Sequence, residues 1–188
     1  MPPLLTLSTR TPFAFAVAPA AATVSSLVSI DELVAASTYV VIATAGERYG
    51  VWEDLPSGKR IVTYTKLSVE RSLTGAPTPE IWVRTLGGVV GKIGQSVAGE
   101  AQLLTGSRAM VFLAQANGVV VVTGMAQGHY PVVADDKGVA RLASSPDPGM
   151  LVPRRGPTVS AHEQLVGGTL DEGAALVVRT RKARDANK

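Results

Sequence analysis

Few residues of this chain could perform catalysis or hold a metal ion, and their spacing matches no complete catalytic motif. The 188 residues include no cysteine and two histidines, which excludes a thiol nucleophile, an iron–sulfur cluster and a zinc site built from cysteines. His162-Glu163 does not extend to H-E-x-x-H, because Val166 stands where the second histidine is required. Residues 94–98 approach the G-x-S-x-G nucleophile elbow but lack its last glycine. The residues therefore favour a non-catalytic protein without cofactor or metal, and an enzyme with scattered catalytic residues stays an alternative.

The glycine-rich residues 87–94 are a second candidate for chemistry, because glycine-rich loops can cradle phosphate groups. A phosphate-binding loop requires G-x-x-x-x-G-K-[ST]. Here Gly91-Lys92 is followed by Ile93, and Leu86 stands where the first glycine is needed. The dinucleotide fingerprint is also missing, since no βαβ pattern surrounds these glycines. They predict instead a sharp bend or bulge between two strands.

The elements that would position these residues are mostly β-strands joined by turns. Ser29 and Glu32 form a capping box, which predicts a short helix over residues 30–37. The polar residues 46–60 predict a long hairpin connection, and Asn117-Gly118 predicts a tight hairpin turn. Apolar and alternating runs bounded by turn residues predict strands over 39–45, 61–69, 80–85, 109–114, 119–123, 129–134 and 139–142.

The N-terminal residues 1–22 have the order of a secretory signal peptide. Arg10 precedes an apolar run of about a dozen residues, and small residues follow it. That run is too short for a transmembrane helix, and cleavage after Ala20, Ala21 or Ala22 fits the small-residue rule. We therefore predict an exported protein that is periplasmic, on the cell surface or secreted.

The C-terminal part differs in composition from the body of the chain. From residue 144 on, Pro, Gly and Ser predict an irregular extension, with one helical turn at Ser160. Residues 174–179 fit a helix or a strand equally well. The predicted division is a signal peptide over 1–22, a β domain over 23–143 and an extension with a basic tail over 144–188.

Positive charge is concentrated at the C-terminal end. The chain has 18 Lys and Arg against 15 Asp and Glu. Residues 179–188 hold five basic residues and one acidic residue, and Arg10 belongs to the leader, so residues 23–178 carry 12 basic against 14 acidic residues. A basic tail can contact anionic lipid, polysaccharide or nucleic acid, or simply be a solvated terminus. The negative body argues against nucleic acid as the partner.

The order of these pieces resembles a group of small exported β-domain proteins found in myxobacteria and related bacteria. The resemblance rests on "VVIATA", "YTKLSVERSLTG", "VRTLGGVVG" and "VAGEAQLLTGSRAMVFLA", and it covers about residues 24–135. More distantly, residues 40–44, 69–75 and 106–113 are similar to strands of the netrin-like domain of tissue inhibitors of metalloproteinases. That resemblance implies an OB-like antiparallel barrel of five to seven strands. It carries over no zinc-chelating residue, since the chain lacks the N-terminal cysteine of those inhibitors.

The sequence predicts a mainly β, exported binding or interaction module whose partner is another extracellular or periplasmic protein. An inhibitor-like module for an extracellular metalloprotease is one alternative, and anion or nucleic-acid binding through the barrel and tail is another. We expect the aromatic residues mainly to pack in the core. Since binding residues concentrate on loops, the candidate surfaces are the hairpin at 46–60, the loop at 87–94 and the extension at 144–188. The candidate binding residues are Trp52, Gly87, Gly88, Gly91, Lys92, Gln95, His129 and Tyr130.

Overall fold

A computed structural model describes residues 24–153 and 159–187 of the chain. The predicted signal peptide, residues 1–22, lies outside these residues. The structure is mainly β, as predicted. Its strands are β1 Val24–Ser26, β2 Tyr39–Leu55, β3 Gly58–Thr74, β4 Glu80–Leu86, β5 Gly88–Val90, β6 Ile93–Gln95, β7 Arg108–Ala116, β8 Val119–Val122, β9 His129–Ala134, β10 Ala140–Leu142 and β11 Met150–Val152. Its helices are α1 Ile30–Ala36, α2 Ala161–Leu165 and α3 Leu170–Ala186, with a 3₁₀ turn at Met125–Gly128.

Seven strands form one mixed sheet in the order β10-β9-β7-β2-β3-β4-β8. Strand β8 also pairs with β7, so β2, β3, β4, β8 and β7 follow one another in a closed five-strand ring of pairings. The expectation of a purely antiparallel arrangement is corrected at one place. Strand β8 runs parallel to β4, with Val83 opposite Val120. The reason is that strand directions cannot alternate all the way around a closed ring of five strands, so one neighbouring pair must be parallel.

The predicted long connection over residues 46–60 is wrong, because most of these residues are strand. Strands β2 and β3 have 17 residues each and meet at a two-residue turn, Pro56-Ser57. Gly58, with a φ of +99°, takes the backbone conformation that glycine tolerates best. The segment looks like a loop in the sequence because both faces of this hairpin carry polar residues and the apolar alternation is weak.

Two hydrophobic cores lie on opposite faces of the ring strands. Along β2, Val41 and Ala43 point into the ring interior, where they pack with Val111 of β7. The alternate residues, Val40 and Ile42, point outward and pack against the helices. This alternation with a period of two explains why β2 and β7 read as continuous apolar runs, since both of their faces are buried.

The predicted short N-terminal helix is confirmed, and its capping box joins Ser29 and Glu32 as expected. The irregular C-terminal extension is corrected in its last part, because α3 is a helix of 17 residues that begins at a capping box of Thr169 and Glu172. Leu170 and Val177 of α3 pack in the outer core. The basic residues from Arg179 onward therefore continue a packed helix through Ala186.

Candidate functional site

An aromatic cluster lies on the outer face of strands β2, β3 and β4. The rings of Tyr49 and Tyr64 stack with centroids 5.6 Å apart, and Trp82 meets Tyr49 edge-on at 5.3 Å. Tyr49 is 47% exposed and Trp82 is 38% exposed. We call Tyr49, Tyr64 and Trp82 the aromatic surface. Large aromatic side chains that remain this accessible can contact a partner with their faces and edges.

The register of the strands creates this cluster from residues distant in sequence. Tyr49 of β2 stands opposite Tyr64 of β3, and Lys66 of β3 stands opposite Trp82 of β4. Residues between them on the same strands, such as Thr65 and Val83, point into the ring and are buried. The period-two alternation thus puts the aromatic rings on the outside.

Ion pairs surround the aromatic surface and hold its rings in place. The Tyr64 hydroxyl donates to Glu53 Oε1 at 2.6 Å, and Arg84 Nη1 donates to Glu53 Oε2 at 2.9 Å. The hydrogen bond to Glu53 is the main reason that the pKa of Tyr64 is raised above 10.0. Lys66 lies 6.0 Å from the Trp82 ring centroid, at the distance of a cation–π contact.

The charges around this surface balance. Lys66 lies 3.8 Å from Glu47 and 3.5 Å from Glu80, and Arg84 is paired with Glu53. Arg60 stands opposite Glu53 on the same face, so three carboxylates face three cations. A surface of this kind does not attract a polyanion.

The predicted loop residues Gly87, Gly88 and Gln95 come together in the structure around a pocket. Gln95 Oε1 accepts the Ile61 N–H at 2.8 Å, and the Thr63 hydroxyl donates to the Gly87 carbonyl at 2.7 Å. These bonds tie the β5–β6 hairpin to the strands below it. The predicted bend between strands is therefore a small hairpin that forms one wall of the pocket.

Gly91 and Lys92 form the exposed turn of that hairpin. Trp52 is 41% exposed and pairs with Ile61 on the β2–β3 hairpin. The register is unbroken between Tyr49 and Leu55, so Trp52, three residues from Tyr49, points to the opposite face of the hairpin. The structure thus separates Trp52 from the aromatic surface.

His129 and Tyr130 are both only 2% exposed, so neither side chain contacts a ligand at the surface in this conformation. His129 Nδ1 lies 3.1 Å from the Ser145 hydroxyl, and burial lowers the pKa of His129 to about 4. Tyr130 meets Phe112 edge-on at 6.0 Å, and burial raises the pKa of its hydroxyl. The sequence predicted these two residues as binding residues, and the structure places both side chains in packing positions.

The aromatic surface is the feature that sequence reasoning missed. Its residues were expected to pack in the core, which holds for Phe112 and Tyr130 but not for Tyr49 and Trp82. The missing signal was the tight turn at residues 56–57. Once that turn is placed, pairing the strands backward from it sets Tyr49 opposite Tyr64.

Neither a metal site nor a membrane-spanning helix is found in the described part of the chain. Within residues 24–153 and 159–187, no group of three or more His, Asp or Glu side chains is close enough to hold a metal ion. No helix in the same part of the chain is long and apolar enough to cross a membrane. No protein family, no curated protein and no solved structure matches the chain.

Proposed function

We propose that this chain is an exported, non-catalytic binding module that recognises another extracellular or periplasmic protein through its aromatic surface. The observation that carries the proposal is the exposure of Tyr49 and Trp82 beside Arg84 on one sheet face. Tyr, Trp and Arg are the residue types that contribute most of the binding energy in protein interfaces. A rim of charged residues, here Glu47, Lys66 and Glu80, is also typical of such interfaces.

We propose further that the five-strand ring is an OB-like barrel. Two features support it: the fourth ring strand, β7, pairs back with the first, β2, and the fifth, β8, runs parallel to the third, β4. A five-stranded, partly open Greek-key barrel has this kind of connectivity, and it binds ligands on the outer face of its second and third strands. Tyr64 and Trp82 lie on those two strands, β3 and β4.

The two alternative functions have less support. The lack of a positive excess around the aromatic surface argues against nucleic acid, which is bound by an excess of cations along its path. An inhibitor of metalloproteases of the netrin-like type would need a chelating N-terminal cysteine, and the chain has no cysteine. Likeness in fold alone is a weak argument for a shared function.

Photo-crosslinking from the aromatic surface tests the proposal. A benzoyl-phenylalanine replaces Tyr49, the protein is exported from the producing bacterium, and crosslinked proteins are identified by mass spectrometry. We expect one dominant protein partner, whose affinity for the purified module falls at least about tenfold in Trp82→Ala.

A matched probe placed at Val139, which is exposed on the turn between β9 and β10, controls for random encounters. The proposal is wrong if both probes capture the same proteins. It is also wrong if Trp82→Ala binds the captured partner as tightly as the unchanged protein does.

A further inference from the structure

A pocket of about 440 Å³ opens between the β5–β6 hairpin and residues 95–104, apart from the aromatic surface. Val97, Leu103 and Leu104 supply apolar wall, and Thr85 and Gln95 supply polar groups. Glu100 and Arg48 also line it. A pocket of this size can hold a small molecule, and its walls offer apolar and polar groups in about equal parts.

Glu100 is the half-buried acidic group of this pocket. Its Oε2 accepts the Leu86 N–H at 3.1 Å and its Oε1 accepts the Ala101 N–H at 3.0 Å. These bonds fix the carboxylate against the backbone. Since a carboxylate offers about four acceptor positions, each oxygen can accept a further hydrogen bond.

The ion pairs of the described residues do not include Glu100, although Arg48 shares the lining of its pocket. The cation that acts on it, Arg84, forms its own ion pair with Glu53 at 2.9 Å. Burial raises the pKa of Glu100 despite its two backbone hydrogen bonds. A carboxylate held in this way is costly when charged, and a bound cation would remove that cost.

The shape and chemistry together select one kind of ligand. An ammonium group can donate up to three hydrogen bonds to the free acceptor positions of Glu100, and an aliphatic chain can lie against Val97 and Leu103. Arg48 is exposed and shares the pocket lining, so an acidic group on the far end of the ligand is tolerated there. We propose that this pocket binds aliphatic primary amines, with Glu100 holding the ammonium group.

Titration of the labelled protein with n-butylamine, followed by amide chemical shifts at about pH 7, tests this proposal. We expect saturable shifts centred on Gly87, Gly88, Glu100 and Ala101. The neutral isostere n-butanol should bind at least about tenfold more weakly, because it brings no positive charge to Glu100.

Variants separate the role of Glu100 from a general effect. In Glu100→Gln the affinity for n-butylamine should fall at least about tenfold. Asp136→Asn, which changes an exposed carboxylate on the turn between β9 and β10 outside the pocket lining, should leave the affinity unchanged. Ser96 is an exposed residue of the pocket lining, so the larger side chain of Ser96→Trp should fill the pocket and abolish binding. This variant serves as the test if Glu100→Gln does not fold.

The proposal is overturned if n-butylamine causes no saturable shifts, if n-butanol binds equally well, or if the folded variant, Glu100→Gln or Ser96→Trp, binds the amine normally. Its outcome is independent of the proposed function. Glu100→Gln leaves the aromatic surface intact, so capture of the protein partner should be unchanged in that variant.

Discussion

At the residue scale, Gly88 shows why a glycine in the predicted binding loop is needed for structure. Its φ is +129°, and an added Cβ would overlap the hydroxyl of Thr63. That hydroxyl is itself held by its bond to the Gly87 carbonyl. We expect Gly88→Ala to destabilise the fold by about 2–4 kcal/mol, measured by chemical denaturation.

Gly91 in the same hairpin is the matched control for this substitution. It also has a positive φ, +60°, but a Cβ there would meet no atom within 4 Å. Gly91→Ala should therefore cost only the backbone strain, about 1 kcal/mol. Equal losses in the two variants would contradict the role given to the contact between Gly88 and Thr63.

His129 makes the stability of the fold depend on pH. Burial lowers its pKa to about 4 from 6.5 in the unfolded chain, so the unfolded state binds more protons between these values. With respect to His129, the free energy of unfolding therefore has its full value above pH 6.5. It falls as the pH decreases toward 4, at a rate approaching about 1.4 kcal/mol per pH unit. Urea unfolding measured from pH 7 down to about 5 checks this slope, since carboxylates titrate mainly below that range.

In His129→Gln this slope should be much flatter, even if the variant is less stable at every pH. His162, exposed on the surface of α2, offers the matched substitution His162→Gln, which should keep the slope of the unchanged protein. If both variants lose the slope equally, the burial of His129 is not its source.

At the element scale, α3 contributes to the core although the sequence suggested an irregular extension. Val177 is fully buried in the outer core, whereas its neighbour Val178 is only half-buried. Val177→Ala should cost about 2 kcal/mol, because it removes two buried carbons and leaves a cavity.

Val178→Ala changes the helix propensity by the same amount and should cost clearly less than Val177→Ala in the same unfolding measurement. Similar values for the two substitutions would mean that α3 does not pack against the sheet as described. The comparison therefore tests the position of the helix rather than its formation.

The elements that the sequence predicted well share a strong local signal. The helix predicted over residues 30–37 has a capping box, which depends on two side chains three positions apart. Asn117 and Gly118 both adopt the positive φ angles that a tight hairpin turn requires. The β7 strand is apolar on both faces because it separates two cores. Each of these features is decided by neighbours in the sequence.

The elements that were missed depend on contacts made far along the chain. Residues 46–60 are held as strand by eight register pairs between β2 and β3 and by the β5 backbone that packs over Gly50. Helix α3 has a weak apolar pattern because its buried side includes Gly173 and Ala174, which let it approach Leu142 closely. The candidate site was also missed because it depends on contacts between residues distant in sequence: Tyr49, Tyr64 and Trp82 meet only through strand pairing.

At the scale of the whole molecule, the helices cover one part of the outer side of the ring, and the aromatic surface lies on another part. Helices α1, α2 and α3 cover the outer side of β2 and β7 through the outer core. The aromatic surface lies where β2 passes beyond that cover and pairs with β3, which pairs in turn with β4. Long strands that extend past the covered core therefore give a rigid platform for aromatic side chains, and rigid elements position binding groups more precisely than loops do.

The proposed export of the chain makes a prediction about where the folded molecule must begin. Strand β1 starts at Val24 and pairs in parallel with β11, joining Ser25 to Leu151 and Ser26 to Val152. Cleavage after Ala20, Ala21 or Ala22 would leave this pairing intact. We therefore expect N-terminal sequencing of the protein recovered outside the cytoplasm to begin between residues 21 and 23.

Two truncations complete this test. Removal of residues 1–22 should leave the unfolding temperature unchanged, whereas removal of residues 1–26 deletes β1 and should lower it by several degrees, about 4 °C for each kcal/mol lost. In the shorter chain, the hydrogen bond from the Leu27 nitrogen to the Val152 carbonyl, 3.0 Å long in the full structure, would be what remains of the contact with β11. A full-length N-terminus on exported protein, or equal stability of both truncations, would contradict a mature chain that folds from β1 onward.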